Sequence, residues 1–137
     1  MPFVADASVA ACWAFDDEAH PTAAFALERI RSDEARVPCL WWFEVRNVLI
    51  VNERRRRISA ADVSGFLRTL SRLAITVDHA PDETEILALA RRRRLSVYDA
   101  AYLELAKRES LVLATLDREL ARAAGAEGVS LLKAREI

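Results

Sequence analysis

The chain has 137 residues, of which 53% are hydrophobic and 30% charged, with three glycines and four prolines. This composition excludes disordered, collagen-like and low-complexity proteins, and we expect residues 1–137 to form a single domain. Its 20 basic and 21 acidic residues give a net charge of -1, so a nucleic-acid surface would require local segregation of charge.

Short β-rich runs alternate along the chain with longer segments of helical period. This pattern favours an α/β fold with a central, mostly parallel sheet of four to five strands flanked by helices. The predicted strands are Phe3 to Asp6, Arg36 to Pro38, Ala74 to Val77, Val112 to Thr115 and, on a less regular pattern, Ser130 to Leu132.

Helices are predicted in the intervals between these strands. The first begins near Ser8, and a long one covers Leu40 to Arg56. Ser59 and Asp62 fit a capping box that opens the next helix. Two further helices begin at Pro81-Asp82 and after Ser96, which is placed to cap the segment that carries Asp99.

Four carboxylates stand where packing alone would favour other residues. Asp6 ends the first strand and Asp117 follows the fourth, while Glu44 and Asp99 lie on the apolar stripes of two helices. Each has an ordinary alternative: Asp6 and Asp117 as helix N-caps, Asp99 as the partner of Ser96 in a capping box, and Glu44 on a solvated face.

Their joint placement nevertheless indicates a metal site. The carboxyl ends of parallel strands share one edge of a sheet, where ligands bind. Carboxylates that converge there repel one another unless a divalent cation holds them ionised, and oxygen ligands favour Mg²⁺ or Mn²⁺ over zinc. Ser8, Asn47 and Thr115 are predicted to support these carboxylates through hydrogen bonds.

Other conspicuous residues have ordinary interpretations. Cys12 and Cys39 are predicted to be reduced core residues, because their spacing fits no zinc site. The runs at 54–57 and 91–94 consist of four arginines each. Successive helical residues point about 100° apart, so four of them cannot share one face of a helix. We therefore interpret both runs as solvated helix ends, where cations are favourable, rather than as nucleic-acid patches. Of the adjacent Trp41 and Trp42, at most one points inward, which leaves the other free for a partner.

No apolar run reaches the length of about 18 residues that a membrane-spanning helix needs. The first apolar stretch also has no basic segment before it. We therefore expect a cytoplasmic protein with no membrane partner.

Four segments, in this order, resemble the PIN-domain ribonucleases and, more narrowly, the VapC toxins of bacterial and archaeal toxin-antitoxin pairs. The resemblance extends over essentially the whole chain, and its most specific part is the D-x-x-Y-L-x-L-A pattern that begins at Asp99. The matching segments are Val4 to Ser8, Glu44 to Leu49, Ser96 to Ala106 and Leu113 to Asp117.

The resemblance implies a PIN-like fold and a Mg²⁺- or Mn²⁺-dependent endoribonuclease. It also implies homodimers and inhibition by a VapB-like antitoxin. In this interpretation the acidic, metal-binding and catalytic residues are Asp6, Glu44, Asp99 and Asp117, with Ser8, Asn47 and Thr115 in support.

Two other functions remain open at this point. A phosphoryl-transfer enzyme with an aspartate nucleophile would need a second aspartate two residues after Asp6, where Ser8 stands instead. A PIN-like module that binds RNA or protein but catalyses no reaction is the other alternative. The four acids argue against it, because their negative charges repel RNA. A nuclease assay with added metal separates these alternatives.

Overall fold

A computed structural model describes residues 1–133, apart from the side chain of Asp16. Its four strands form one parallel sheet in the order β3-β2-β1-β4. The predicted fifth strand is reduced to a single bridge between Leu113 and Leu131. The strands are β1 (Phe3–Ala5), β2 (Ala35–Pro38), β3 (Ile75–Asp78) and β4 (Val112–Ala114).

Helices connect and flank these strands, as the α/β pattern predicted. A 3₁₀ turn (Asp16–Glu18) follows the first of them. The α-helices of the described chain are α1 (Ala7–Ala14), α2 (Pro21–Arg29), α3 (Leu40–Arg54), α4 (Ala60–Ser71), α5 (Glu83–Arg93), α6 (Val97–Glu109) and α7 (Arg118–Ala126).

Strand β1 lies inside the sheet and is buried on both faces, as is usual for a parallel strand covered by helices. Phe3 and Ala5 pack into one cluster, which also contains buried residues of α1 and α2. Val4 points to the opposite side and packs with residues of α3 and α6, among them Val45 and Leu103. The alternation of side chains along the strand thus builds two hydrophobic cores.

The sheet order places a topological switch at β1. The chain moves outward from β1 to β2 and β3 on one side, whereas β4 pairs with β1 on the other. In open parallel sheets ligands bind at such a switch point, outside the carboxyl ends of the strands. Asp6 follows β1 directly and Asp117 follows β4, so both acids lie where the topology favours a site.

Local helix signals were predicted well. The Ser59 hydroxyl accepts a hydrogen bond from the Asp62 amide, and the Asp62 carboxylate accepts one from the Ser59 amide, each at 3.0 Å, so the capping box is confirmed. The predicted helix from Leu40 ends at Arg54, and Arg56 takes a positive φ of 61°. The arginine runs therefore do lie at helix C-termini.

The tryptophan prediction is confirmed, but one cysteine prediction is wrong. Trp41 is 4% exposed and packs in the core, whereas Trp42 is 47% exposed. Cys12 is buried as predicted, but Cys39 is exposed, because it lies at the N-terminus of α3, just before its first turn. No helix in residues 1–133 combines the length and the apolar character needed to span a bilayer.

Candidate active site

Asp6 is the most deeply buried of the predicted site residues, with 4% of its surface exposed. It is the N-cap of α1, and its Oδ1 accepts hydrogen bonds from the Val9 amide (3.3 Å) and from the Ser8 hydroxyl. Its Oδ2 accepts one from the Thr115 hydroxyl. The helix-cap alternative is therefore correct for Asp6, and two of the predicted supporting residues do contact it.

The same two hydroxyls bind the loop that follows β4. The Ser8 Oγ accepts from the Leu116 amide and the Thr115 Oγ1 accepts from the Asp117 amide, both at 3.0 Å. The Asp6 amide also donates to the Ala114 carbonyl at 3.0 Å. The end of β1 and the end of β4 are therefore held together by a connected set of hydrogen bonds centred on one carboxylate.

Glu44 reaches this edge from α3 and is half-buried. Its Oε1 accepts a hydrogen bond of 2.7 Å from the hydroxyl of Tyr102, a residue of α6 that is 1% exposed. Burial raises the pKa of Glu44, and the charges of Asp99 and Asp6 raise it further, while the bond from Tyr102 lowers it. These effects place Glu44 within electrostatic range of both acids.

Tyr102 is a site residue that the sequence interpretation did not select. The signal was present, since Tyr102 follows Asp99 by three residues and so lies beside it on α6. In the sequence, Tyr102 counts only as the tyrosine of the D-x-x-Y-L-x-L-A pattern, with no role at the site. Burial and the neighbouring Glu44 raise the pKa of Tyr102 far above its usual range, so its hydroxyl stays protonated and can only donate to the carboxylate.

Asp99 lies in the first turn of α6, and its amide donates to the Ser96 hydroxyl at 3.1 Å. Its side chain is half-buried. Burial is the main cause that raises the pKa of Asp99, followed by the charge of Asp117 and more weakly by that of Glu119, while a bond with Ser96 lowers it. The Asp99 carboxylate therefore faces other acids, and no ion pair within residues 1–133 includes it.

Asp117 forms the exposed rim of the group. It is the N-cap of α7, where its Oδ1 accepts from the amides of Glu119 (2.8 Å) and Leu120 (3.1 Å). The cap alternative is thus correct for Asp117 as well. Because Asp117 also raises the pKa of Asp99, it lies close enough to belong to the same electrostatic cluster.

Asn47 is the predicted supporting residue that the structure leaves apart. Its side chain is exposed and makes no hydrogen bond with residues 1–133. The buried asparagine of this helix is Asn52, whose Nδ2 donates to the Val48 carbonyl at 2.7 Å. The supporting role of Asn47 stays a prediction.

The chemistry of the cluster fits a hard divalent cation. None of the ion pairs within residues 1–133 includes the four carboxylates, and three of those carboxyl groups have a raised pKa. No three Asp, Glu, His or Cys side chains in the described chain could hold an ion as they stand. Mg²⁺ commonly binds through one or two carboxylates and keeps several waters, so the donors present suffice.

Comparisons with known proteins agree with this architecture. The chain is 38% identical over 95 residues to Exonuclease VapC9 of Pyrobaculum aerophilum, an alignment that spans 68% of this chain and 70% of that protein. It also superimposes on the crystal structure of PAE2754 from Pyrobaculum aerophilum with a TM-score of 0.72 and 27% identity, over 90% of this chain and 84% of the other.

A family model described as the PIN domain matches residues 3–126. The matched region begins with the first residue of β1 and ends with the last residue of α7, so it contains the whole sheet and all four predicted acids. The chain therefore belongs to the PIN-domain family.

Proposed function

We propose that this protein is a Mg²⁺- or Mn²⁺-dependent endoribonuclease and the toxin of a toxin-antitoxin pair. The observation that carries the proposal is the group of acids at the switch point of the sheet, in which Asp6, Glu44 and Asp99 have raised pKa values and no cationic partner within residues 1–133. The similarity to a VapC protein that is named an exonuclease supports nuclease chemistry.

In this proposal one or two of the carboxylates of Asp6, Glu44 and Asp99 would bind the ion directly, the others would act through its bound waters, and Asp117 would lie at the rim. When bound there, the ion would supply neutralisation of phosphate charge and a lowered pKa for a water nucleophile. The chain's own contribution is positioning: Ser8 and Thr115 hold both oxygens of Asp6, and Tyr102 holds one oxygen of Glu44. Rigid placement of these groups lowers the barrier because the required geometry exists before the substrate binds.

The first test is the substitution Asp6→Asn. Burial raises the pKa of Asp6, so the ion-free fold loses stability as the pH rises above the unfolded pKa of this carboxyl, and the loss is complete above its folded pKa. At neutral pH and in EDTA, we expect Asp6→Asn to melt above the wild type. Mg²⁺ or Mn²⁺ should raise the melting temperature of the wild type but not that of the variant, and the variant should not cleave RNA.

Asp17→Asn is the matched control, since Asp17 is exposed and, among the residues that the structure describes, its ion pair is with Arg57 alone. It should retain both the metal-dependent shift and cleavage. Full cleavage by folded Asp6→Asn, or an equal metal response in it, would contradict the metal site. Binding of RNA by the wild type without any cleavage would favour the non-catalytic module instead.

The endonuclease assignment has its own test, because the Pyrobaculum relative is named an exonuclease. Asp117 and the half-buried Glu44 and Asp99 lie at the surface of the protein, where an internal phosphodiester can approach without a free strand end. We expect a circular single-stranded RNA to be cut in the presence of Mg²⁺. Degradation of the linear form alone would assign exonuclease activity.

Exposed apolar residues beside the acids support a protein partner. Phe43 is 68% exposed and precedes Glu44, and Tyr98 is 64% exposed and precedes Asp99. Apolar groups in such a position are typical of interaction surfaces. We propose that an antitoxin of the VapB type covers them and that the free toxin is a homodimer.

The partner proposal is tested with the double variant Phe43→Ser/Tyr98→Ser. Co-expression with an antitoxin of the VapB type should give a complex for the wild type and none for the variant. Light scattering of the free wild type should give the mass of a dimer. Absence of a complex with the wild type would remove the antitoxin assignment and leave the nuclease proposal intact.

A further inference from the structure

A groove with a volume of about 400 Å³ lies between the end of α5 and helix α7, outside the acidic cluster. Four of its lining side chains are arginines, and one is a carboxylate, Glu119. Its arginines are Arg92, Arg93, Arg94 and Arg122. We call this surface the arginine groove.

The four arginines fall into two pairs. Arg92 and Arg93 bind the carboxylate of Glu127 at 2.7 and 2.6 Å. These ion pairs join α5 to the end of α7 and largely neutralise the charge of both arginines. Arg94 and Arg122 are exposed and form no ion pair with any carboxylate of residues 1–133. The groove therefore presents two uncompensated cations to solvent.

Arg94 occupies a backbone position that suits glycine better. It is the C-cap of α5 with a left-handed φ of 54° and ψ of 44°, where helices usually carry Gly or Asn. A side chain with a Cβ costs about 1 kcal/mol or more in this conformation. A strained residue whose long cationic side chain lines a groove is an observation that points to function.

One end of the groove lies next to the acidic cluster. Arg94 precedes Ser96, the cap of the helix that carries Asp99, by two residues. The opposite wall is α7, whose N-cap is Asp117. Glu119, which lines the groove, lies close enough to Asp99 to raise its pKa, so the acidic end of the groove faces the site.

We propose that the arginine groove binds the sugar-phosphate backbone of single-stranded RNA next to the bond that is cut, with Arg94 and Arg122 as the phosphate contacts. The small side chains of Ala123 and Ala126 in the groove leave room for a nucleotide chain to approach α7. Guanidinium groups bind phosphate oxygens through paired hydrogen bonds. The inference rests on the proposed function for the identity of the substrate.

The structure supplies a matched control for Arg94. Arg56 is also an exposed arginine with a positive φ of 61° after a helix, it forms no ion pair within residues 1–133, and it does not line the groove. Arg94→Gly and Arg56→Gly therefore remove the same charge and relieve the same backbone conformation. Both variants should melt at or above the temperature of the wild type, because glycine favours a positive φ.

The measurement is fluorescence anisotropy of a labelled single-stranded RNA oligonucleotide, titrated in EDTA so that no cleavage occurs, over a range of salt concentrations. Each phosphate contact that is lost should reduce the slope of log K against log salt by about 0.7. We expect that change for Arg94→Gly, about twice that change for Arg94→Gly/Arg122→Gln, and no change for Arg56→Gly.

The outcomes separate this inference from the proposed function. Equal slopes of log K against log salt for Arg94→Gly, Arg56→Gly and the wild type would overturn the proposed role of the groove in RNA binding, even if all three proteins cleave RNA. Reduced binding by Arg94→Gly in a protein that never cleaves would support the groove and remove the nuclease proposal. A wild type that neither binds nor cleaves RNA would overturn both.

Discussion

At the scale of single residues, Asp117 combines two roles that usually compete as explanations. Its carboxylate caps α7 through the amides of Glu119 and Leu120, and its charge raises the pKa of Asp99. An N-cap carboxylate is already oriented by the helix amides, so under the proposed function capping would also orient Asp117 toward the metal. The two roles are separable because Asn is as good an N-cap as Asp but carries no charge.

We therefore predict that Asp117→Asn keeps the stability of the wild type but loses most RNA cleavage, while Asp117→Ala loses both. The Ala variant should unfold about 1 kcal/mol more easily in urea, the usual value of a lost N-cap. Asp82→Ala is the control, since Asp82 caps α5 through the Glu85 amide at 3.2 Å without belonging to the cluster. It should lose similar stability and retain cleavage; full activity in Asp117→Asn would leave Asp117 as a cap only.

At the scale of secondary structure elements, the site depends on how α3 and α6 meet above the sheet. The bond from Tyr102 to Glu44 joins residues that are 58 positions apart in sequence, and it is the direct hydrogen bond between these two helices within the described chain. Both helices contribute to the core that packs on Val4 of β1. The helix packing therefore determines where the Glu44 carboxylate lies relative to Asp6.

We predict that Tyr102→Phe lowers the rate of RNA cleavage by about tenfold, which corresponds to about 1.4 kcal/mol of lost positioning. The free energy of unfolding should fall by about 1 kcal/mol, the typical value of one hydrogen bond. The metal-dependent rise in melting temperature should also shrink, a readout that loss of packing alone would not produce. Tyr98→Phe on the same helix is the control and should change none of these, because its hydroxyl makes no hydrogen bond within residues 1–133.

At the scale of the whole molecule, a cluster of ion pairs joins α5 and α6 to the end of α7. Glu127 follows α7, its side chain is 6% exposed, and it binds Arg92 and Arg93 of α5 and Lys107 of α6 at 2.6 to 2.8 Å. The hydrogen bond from Arg92 is the main cause that holds the pKa of the Glu127 carboxyl well below its usual range, and the bonds from Lys107 and Arg93 add to this effect. The cluster thus joins three helices through one carboxylate.

This cluster makes stability depend on pH in a defined direction. A carboxyl group whose pKa is lowered by folding stabilises the protein above its unfolded pKa of about 4.3 and loses that contribution as the pH falls toward the folded pKa. We predict that Glu127→Gln lowers the free energy of unfolding by about 1 to 2 kcal/mol at pH 7, allowing for partly exposed cations. Urea titrations at pH 7, 4 and 3 should show this difference shrink with acid, whereas Glu28→Gln, at an exposed site in α2, should match the wild type throughout. A difference of the same size at pH 7, 4 and 3 would contradict the electrostatic origin.

The secondary structure and the four acids were accessible from sequence because their signals are local. The Ser59 capping box, the caps at Asp6, Ser96 and Asp117 and the alternation of strands and helices all depend on neighbours within about one helical turn. The fold class followed from the same alternation, and the family model that matches residues 3–126 agrees with the resemblance carried by the acidic motifs.

What the tertiary structure alone decided are contacts between distant residues. The bond from Thr115 to Asp6 crosses 109 positions, and the contact of Tyr102 with Glu44 depends on the packing of two helices over β1. Similarly, Glu127 binds Arg92 and Arg93, whereas Arg94 lines the groove without an ion pair to the described residues. The sequence shows only four identical arginines in a row and cannot indicate which of them bind Glu127. By itself the sequence determined where most of the helices and strands lie, because turns and caps are local; only the order β3-β2-β1-β4 decided which side chains meet, because that order brings together segments far apart in the chain.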